Sequence, residues 1–398
     1  MRVSIFLSTL FAATFCVLAS GCIGHRLYNT ERDQYLREVA IDDSSETTFD
    51  LAIIEFDDHG VFWKIEQLED TLEMIRERNA SSQRGILVVL YVHGWRNNAD
   101  PNQDDGDLVR FQSTLSHIAG NFANSEAPTP DRVIGVFLGW RGNTSNIPIQ
   151  NKLTFWGRRS TAERVASLNM RETMFSVMRE AKSRDLSKCI VVGHSMGGLI
   201  VGKTLAPSVT TLLLANGDEG ARIPADLVLL QNPALDGLSS LQFIDFLKRN
   251  KARAELRSSD GTRFNAPGPV VVSITSEADR ATSFAYPLGR WIDTVGLAFR
   301  GKVVEGGPSQ RYLATHSEGH VDFLHSHRAW VDDGELQFER VPDAYNDTPF
   351  WIVQVSKDVM KDHGDLNNPV VNELVERILL LNRLYETDLD TWILSGEE

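Results

Sequence analysis

Hydrophobic positions along the chain fall into two patterns that follow each other in turn. Continuous apolar, β-branched runs are typical of strands buried on both faces, whereas apolar residues three and four positions apart are typical of helices. The first pattern predicts seven strands, at residues 50–56, 86–92, 133–138, 189–192, 227–230, 270–274 and 350–355. The second predicts helices at residues 65–78, 108–122, 161–182 and 370–384. Their alternation predicts an α/β fold with a mostly parallel sheet and right-handed crossovers.

The strand predicted at 189–192 runs into the segment Gly193-His194-Ser195-Met196-Gly197-Gly198, and an apolar helical stretch follows it. This is the pattern G-x-S-x-G at a strand-to-helix turn, where a strained backbone exposes the serine hydroxyl. Side chains at Gly193 and Gly197 would collide across the turn. The helix that begins at Met196 directs its first free N–H groups toward developing negative charge. We interpret Ser195 as a nucleophile; a turn of small residues without chemistry is the alternative.

A second motif, His93-Gly94-Trp95, follows the strand predicted at 86–92. Together the two motifs resemble the α/β-hydrolase superfamily in its lipase and esterase branch, over roughly residues 50–385. The resemblance implies an α/β-hydrolase fold with an insertion before the last strand. It also implies an oxyanion hole made by the backbone N–H groups of Trp95 and Met196. We expect His93 to fix its loop by hydrogen bonding.

A nucleophilic serine needs a base, and the resemblance implies the chain order serine, carboxylate, histidine. Of the histidines after Ser195, only His363 follows the last predicted strand, in a loop just before a helix. His363 is therefore the predicted base. His194 is next to the nucleophile, but its side chain does not easily reach the neighbouring hydroxyl, so we predict a packing role for it.

The carboxylate that orients the base is expected at the carboxyl end of an earlier strand. Asp279 follows the strand predicted at 270–274, where lipase-like relatives place their acid, and it is the first candidate. Asp236, after the preceding strand, is the second candidate, and Glu277 is also near the strand end. Asp362 is adjacent to the predicted base in sequence and is interpreted as a solvated loop residue.

Four histidines cluster before the last strand, with Glu318 and Asp322 among them; they are His316, His320, His325 and His327. A helix there would place His316 and His320 on one face at a metal-ligand spacing, but the order His-Glu-x-x-His is missing. We therefore predict surface or loop histidines and no metal site. The polar loop 97–107 could bind calcium by composition, and a solvated loop is the preferred interpretation.

Residues 1–21 have the character of a targeting signal, with Arg2 as the only charge and an apolar stretch from Val3 to Leu18. The ending Ala-Ser-Gly before Cys22 resembles a bacterial lipobox, which predicts a lipid on Cys22 and a location in the cell envelope, in the outer membrane where the host has one. An ordinary cleaved signal and an uncleaved anchor are the alternatives. Residues 22–48 are polar and predict a linker, and residues 49–398 predict the hydrolase domain, with 280–349 as a cap or insertion.

The net charge of the chain argues against one class of partner, and its cysteine content argues against an internal disulfide. Loss of Arg2 with the signal changes the formal net charge from −14 to −15. Such acidity argues against nucleic acid as a partner. The other two cysteines are Cys16, inside the signal, and Cys189, in a predicted strand, so a chain cleaved before Cys22 has no internal disulfide once Cys22 carries a lipid.

Two classes of function fit these features. The first is a serine hydrolase that cleaves a carboxylic ester, with an ester or lipid-like small molecule as substrate and no metal or organic cofactor. Acyl transfer and amide hydrolysis would use the same site. The second is a non-catalytic binding module of the envelope. The combination of Ser195, Asp279 and His363 favours the first class.

Overall fold

The structure is a computed structural model, and it describes residues 26–42, 45–103, 106–125, 128–144, 148–216, 224–249, 269, 271–365 and 368–381. The predicted signal at 1–21 and the predicted lipid attachment site at Cys22 lie outside these residues. Within the described part of the chain, no helix has the length and apolar character needed to span a membrane.

Ten strands within the described residues form one sheet. They are β1 (Leu36–Ala40), β2 (Thr48–Glu55), β3 (Ile86–Val92), β4 (Arg132–Gly139), β5 (Lys188–His194), β6 (Leu227–Gln231), β7 (Val271–Ser276), β8 (His327–Asp332), β9 (Glu335–Arg340) and β10 (Phe350–Val355). Their order across the sheet is β1-β2-β4-β3-β5-β6-β7-β10-β8-β9. Neighbouring strands are parallel from β2 through to β8 and antiparallel only in the two edge pairs, β1/β2 and β8/β9.

Helices cover both faces of the sheet. They are α1 (Arg32–Tyr35), α2 (Glu66–Ser81), α3 (Asp107–Asn124), α4 (Pro148–Val165), α5 (Leu168–Ala181), α6 (Met196–Asn216), α7 (Gly237–Arg249), α8 (Tyr286–Asp293), α9 (Gln310–Thr315) and α10 (Pro369–Leu381). Apolar side chains of α2, α5, α6 and α7 pack on one face, and those of α3 and α10 pack on the other. Along β3 successive residues alternate between these two cores, so every residue of the strand is buried.

The predicted fold class is confirmed. The protein is mixed α/β with a mostly parallel sheet between layers of helices, as the resemblance to α/β-hydrolases implied. All seven predicted strands are present, and β3 and β10 have the predicted bounds. The predicted helix at 161–182 is two helices, because the chain turns at Ser167, the N-cap of α5. The first of them, α4, begins at Pro148, well before the predicted start.

The linker predicted at 22–48 is wrong for the described part of that range. β1 pairs antiparallel with β2, and Tyr35 is buried with its hydroxyl donating to Asp70 at 2.6 Å. The side chain of Asn29 is also buried and donates to Glu55. An edge strand is half exposed, so its side chains are mixed in polarity and its composition is like that of a linker.

The segment predicted as a cap or insertion, 280–349, contains a π-helix (Ala281–Ala285), α8, α9, two short 3₁₀ helices and the β8/β9 hairpin. The hairpin belongs to the sheet, since β8 lies beside β10. Its two-residue turn, Asp333-Gly334, has positive φ angles of 47° and 86°. This turn is a recognised hairpin signal that the sequence reasoning missed.

Candidate active site

The predicted nucleophile lies at the carboxyl end of a central strand. β5 ends at His194 and α6 begins at Met196, so Ser195 occupies the connection by itself. Its φ angle is +55°, a left-handed conformation that costs a residue other than glycine free energy. Ser195 is buried, and hydrogen bonds hold its backbone in this conformation. Its N–H donates to the carbonyl of Gln231, and its carbonyl accepts from the N–H of Ala234. The strained turn expected from the G-x-S-x-G pattern is thus present.

Two glycines allow the β3 loop and the nucleophile turn to touch. A Cβ at Gly94 would lie 2.9 Å from the Cβ of Ser195, and a Cβ at Gly197 would lie 2.0 Å from the carbonyl oxygen of Val92. Both distances are too short for a side chain. The sequence analysis expected a side chain at Gly197 to collide across its own turn. The nearest contact is instead with the end of β3.

Three of the predicted site residues form a chain of hydrogen bonds. The Nε2 atom of His363 is 2.8 Å from the Oγ of Ser195, and its Nδ1 atom is 2.8 Å from Oδ2 of Asp279. Asp279 is fully buried, and the side chain of His363 is about a quarter exposed. With Nδ1 donating to the carboxylate, Nε2 is free to accept the proton of the serine hydroxyl.

The environment of Asp279 favours its ionised form. Burial by itself would raise the pKa of Asp279, but the hydrogen bond and the charge of His363 oppose this effect. Further hydrogen bonds come from the Thr282 hydroxyl to Oδ2 and from the backbone N–H groups of Ala281 (2.8 Å) and Thr282 (3.3 Å) to Oδ1. Together these contacts hold the pKa of Asp279 below its usual value.

The other carboxylates considered for this role have different partners. Asp236 accepts from the N–H and hydroxyl of Ser239 at the start of α7, at 2.9 and 3.0 Å. Glu277 accepts from the backbone N–H of Lys357. Asp362 is exposed and accepts from the N–H of the second residue after it, which is the loop role predicted for it.

The two residues predicted to form the oxyanion hole are each next to a residue of the contact between Gly94 and Ser195. Met196 is the first residue of α6, where the backbone N–H groups have no partner within the helix. Trp95 follows Gly94, which touches Ser195, and its backbone N–H makes no hydrogen bond to any described residue. The indole of Trp95 packs edge-on against Phe155, with ring centroids 4.9 Å apart.

His93 fixes the loop after β3 by hydrogen bonding, as predicted. Its Nδ1 atom is 2.9 Å from the carbonyl oxygen of Gly94, and its Nε2 accepts the backbone N–H of Trp140 at 3.0 Å. The indole N–H of Trp140 donates in return to the carbonyl of His93. Burial lowers the pKa of His93 to about 4, so the ring is neutral at physiological pH.

Three further residues at the site were not predicted as functional. The ring of His194, for which packing was predicted, is 3.1 Å from Oδ2 of Asp107 and 3.1 Å from the backbone oxygen of His363. Asp107 begins α3 and is fully buried, although it belongs to a loop predicted to be solvated. Asn232, in a left-handed conformation with φ 44°, donates to the same oxygen of His363 at 3.0 Å.

The histidines before the last strand do not share one helix face. α9 ends at Thr315, so His316 and His320 lie on different elements. His320 is close to the site, because its Nε2 is 2.9 Å from the hydroxyl of Thr282. His325 is buried in a loop and His327 is buried on β8, so the prediction of surface or loop histidines is wrong for His327. The described residues contain no group of side chains with metal-binding geometry.

Comparisons with known proteins give little further information. No protein-family model and no curated protein matches this sequence. The similar solved structures include phospholipase PlaB from Legionella pneumophila (13% identity, TM-score 0.29) and the same protein in complex with thio-NAD (13% identity, TM-score 0.30). The matches cover 76% of this chain and 60% and 59% of those chains, so this chain spans about three fifths of their length.

Proposed function

We propose that the protein is a serine hydrolase that cleaves a carboxylic ester through Ser195, His363 and Asp279. The observation that carries the proposal is the unbroken hydrogen-bond chain from the hydroxyl of Ser195 through both ring nitrogens of His363 to a buried carboxylate. The left-handed backbone at Ser195 supports it, since strain of this kind concentrates at functional sites.

In the first half of the proposed reaction, the Oγ of Ser195 attacks the carbonyl carbon while His363 accepts its proton at Nε2. The N–H groups of Trp95 and Met196 stabilise the charge on the carbonyl oxygen. The carbon–oxygen bond to the alcohol then breaks, and His363 returns the proton to the departing oxygen. Asp279 keeps the ring in the required tautomer and stabilises the imidazolium.

In the second half, water takes the place of the alcohol. His363 removes one proton from the water as the oxygen attacks the acyl carbon bound to Ser195. The bond to Oγ breaks, the proton returns to the serine, and the carboxylic acid leaves. These steps need only the groups named here and water.

An apolar surface close to the site favours a lipid-like ester as substrate. The π-helix that follows Asp279, the adjoining α8 and the loop directly after α8 carry large apolar side chains that are exposed to solvent; they are Phe284, Leu288, Trp291, Val295 and Leu297. An exposed apolar patch of this kind is typical of a surface that meets a lipid or another apolar partner.

The direct test uses a fluorophosphonate probe and a series of esters of increasing acyl length. We expect the probe to label Ser195 and the Ser195→Ala variant to resist labelling while it retains its folded circular dichroism spectrum. Product analysis with added alcohols and with amides separates hydrolysis of esters from acyl transfer and amide hydrolysis. A folded wild type that neither reacts with the probe nor cleaves any ester would instead be a binding module.

We further propose that Cys22 carries a lipid that anchors the protein in the bacterial envelope, in the outer membrane where one exists. The support is the sequence from Leu18 to Cys22, with small residues before the cysteine. Cys22→Ser is expected to leave an unprocessed precursor or to release the protein from the membrane fraction, and an inhibitor of lipoprotein signal peptidase is expected to act in the same way. Normal processing and membrane association of Cys22→Ser would contradict the anchor.

A further inference from the structure

We propose that Asp107 and His194 form a buried ion pair that positions the base loop and the oxyanion loop around Ser195. Both are positioning residues, since they act through their neighbours. The kinetic consequences of this pair rest on the proposed function, whereas its charge state does not.

The contacts of the pair connect three segments of the site. Oδ2 of Asp107 accepts the backbone N–H of Gly94 at 3.0 Å and lies 3.1 Å from Nδ1 of His194. Nε2 of His194 is 3.1 Å from the backbone oxygen of His363. One buried carboxylate thus links the residue before Trp95, the nucleophile turn and the loop of the base.

Both ring nitrogens of His194 face oxygen acceptors. Each ring nitrogen is within hydrogen-bond distance of an oxygen, one of a carboxylate and the other of a carbonyl. A neutral imidazole carries a single N–H and would leave one of these oxygens facing a lone pair, whereas an imidazolium donates to both. Burial would raise the pKa of Asp107, but the charge and hydrogen bond of His194 and the N–H of Gly94 hold it well below its usual range. The imidazolium is therefore the form of His194 that donates to both oxygens, with the carboxylate of Asp107 as its counter-ion.

The charged and titratable neighbours are compatible with this assignment. Tyr91 and His93 approach from β3, Arg110 from α3, and His363 from the base loop. Burial raises the pKa of Tyr91 well above its usual value and lowers that of His93 to about 4, so both are uncharged at neutral pH. Nη1 of Arg110 lies 3.8 Å from Oδ1 of Asp107, so the carboxylate has a cation on each side.

The pair is expected to affect the rate of the reaction because it helps to fix the position of the base, His363. The carbonyl of His363 accepts from His194 and from Asn232, and these two bonds define the position of the loop. A displacement of about 1 Å at a reacting group costs about 10²-fold in rate. Loss of the Asp107–His194 pair removes one of the two bonds and also releases the N–H of Gly94, which precedes the oxyanion donor.

The charge state is tested by NMR on protein labelled with ¹⁵N-histidine, at about pH 8.5, two units above the ordinary histidine pKa of about 6.5. We expect one histidine with two protonated ring nitrogens. That signal should disappear in His194→Gln and should become a neutral ring with a single N–H in Asp107→Asn. A spectrum in which the ring of His194 is neutral in the wild type at this pH would overturn the proposal, whether or not the protein cleaves esters.

The positioning role is tested by the kinetics of three variants. Asp107→Ala removes the acceptor for Gly94 and the counter-ion of His194, and we expect kcat to fall by about 10²-fold with little change in KM. Asp107→Asn is the conservative rescue, because an amide oxygen at the position of Oδ2 still accepts from Gly94 and from Nδ1 of a neutral His194. It should retain at least about ten times the kcat of Asp107→Ala. The matched control is His327→Gln, which alters a buried histidine of β8 that stacks on Phe338 and Trp351.

Two further results decide between positioning and mere stability. If Asp107→Ala does not fold, the comparison is made with His194→Gln, which keeps a donor for the His363 carbonyl but loses the donor for Asp107; its expected fall in kcat is about tenfold. Unchanged kcat in folded His194→Gln and Asp107→Ala, or an equal loss in His327→Gln, would refute the positioning role.

Discussion

Replacement of Asp279 by Asn changes few atoms but should lower kcat strongly, because the hydrogen bonds around Asp279 determine how the new amide is oriented. Oδ1 of Asp279 accepts two backbone N–H groups, from Ala281 and Thr282, and Oδ2 faces Nδ1 of His363. Those backbone donors do not move, so the amide oxygen of the substituted side chain takes the place of Oδ1. Its N–H₂ group then points at Nδ1 of His363.

A donor at that position inverts the tautomer of the base. Nδ1 of His363 becomes an acceptor, and its proton moves to Nε2, which faces the hydroxyl of Ser195. The base no longer accepts the serine proton, and we expect kcat for ester hydrolysis to fall by about 10⁴-fold. The fold should persist, since the shape and the backbone hydrogen bonds are kept.

The assay compares kcat for a short-chain chromogenic ester and the rate of fluorophosphonate labelling, with thermal unfolding as the check on folding. Asp236→Asn is the matched control, because Asp236 caps α7 through Ser239 and has no contact with His363. Asn caps a helix about as well as Asp does, so the stability should change little and kcat should fall by less than about tenfold. Equal small losses in the two variants, or a larger loss at Asp236, would refute the assignment of Asp279.

Three other outcomes are expected. Ser195→Ala and His363→Ala should each lower kcat by about 10⁴ to 10⁶-fold, and the double variant should be hardly worse than either, because the two groups act as a unit; additive losses would contradict this. Gly197→Ala should destabilise the protein by about 3 kcal/mol in urea titrations, since its Cβ meets a backbone carbonyl, whereas Gly157→Ala, with open space around it in α4, should be neutral or stabilising. Burial raises the pKa of Glu318 from 4.5 to about 7, so the native state binds more protons than the unfolded state between pH 4.5 and about 7. The free energy of unfolding should therefore fall by about 3 kcal/mol as the pH rises through this range. Glu318→Gln should abolish this dependence, which urea titrations at several pH values measure.

The sequence predicted the central sheet well because its strands are buried on both faces. Such strands are continuous apolar runs, and β3 and β10 were predicted with their observed bounds. The three strands that were missed are the two edge strands, β1 and β9, and β8, which lies next to β9. β1 and β9 are each exposed on one side, so their composition is mixed, and a linker was predicted for the first of them. For β8 and β9, the signal was the turn Asp333-Gly334, which the apolar pattern does not register.

The site residues were predicted to the extent that motif and chain order define them. Ser195, His363 and Asp279 were found because a strand end, a following helix and the order of residues each leave a trace in the sequence. The roles of Asp107, His194 and Asn232 leave no such trace. Their function depends on which loops meet in space, and a buried Asp at the start of a helix has the same local sequence as an exposed one.

The two buried carboxylates at this site, Asp279 and Asp107, each contact a histidine. The proposed roles of these two histidines differ, and the difference explains why the two carboxylates have different hydrogen-bond partners. In the proposed reaction His363 gains a proton and loses it again, so Asp279 must accept a change of charge beside it. Its Oδ1 is held by two backbone N–H groups, whose dipoles are fixed and need no reorganisation when the proton moves. His194 is proposed to keep one charge throughout, so Asp107 needs a permanent counter-ion and only one backbone N–H. Removal of Asp279 therefore acts on the chemical step directly, and removal of Asp107 acts on the position of the groups that perform it.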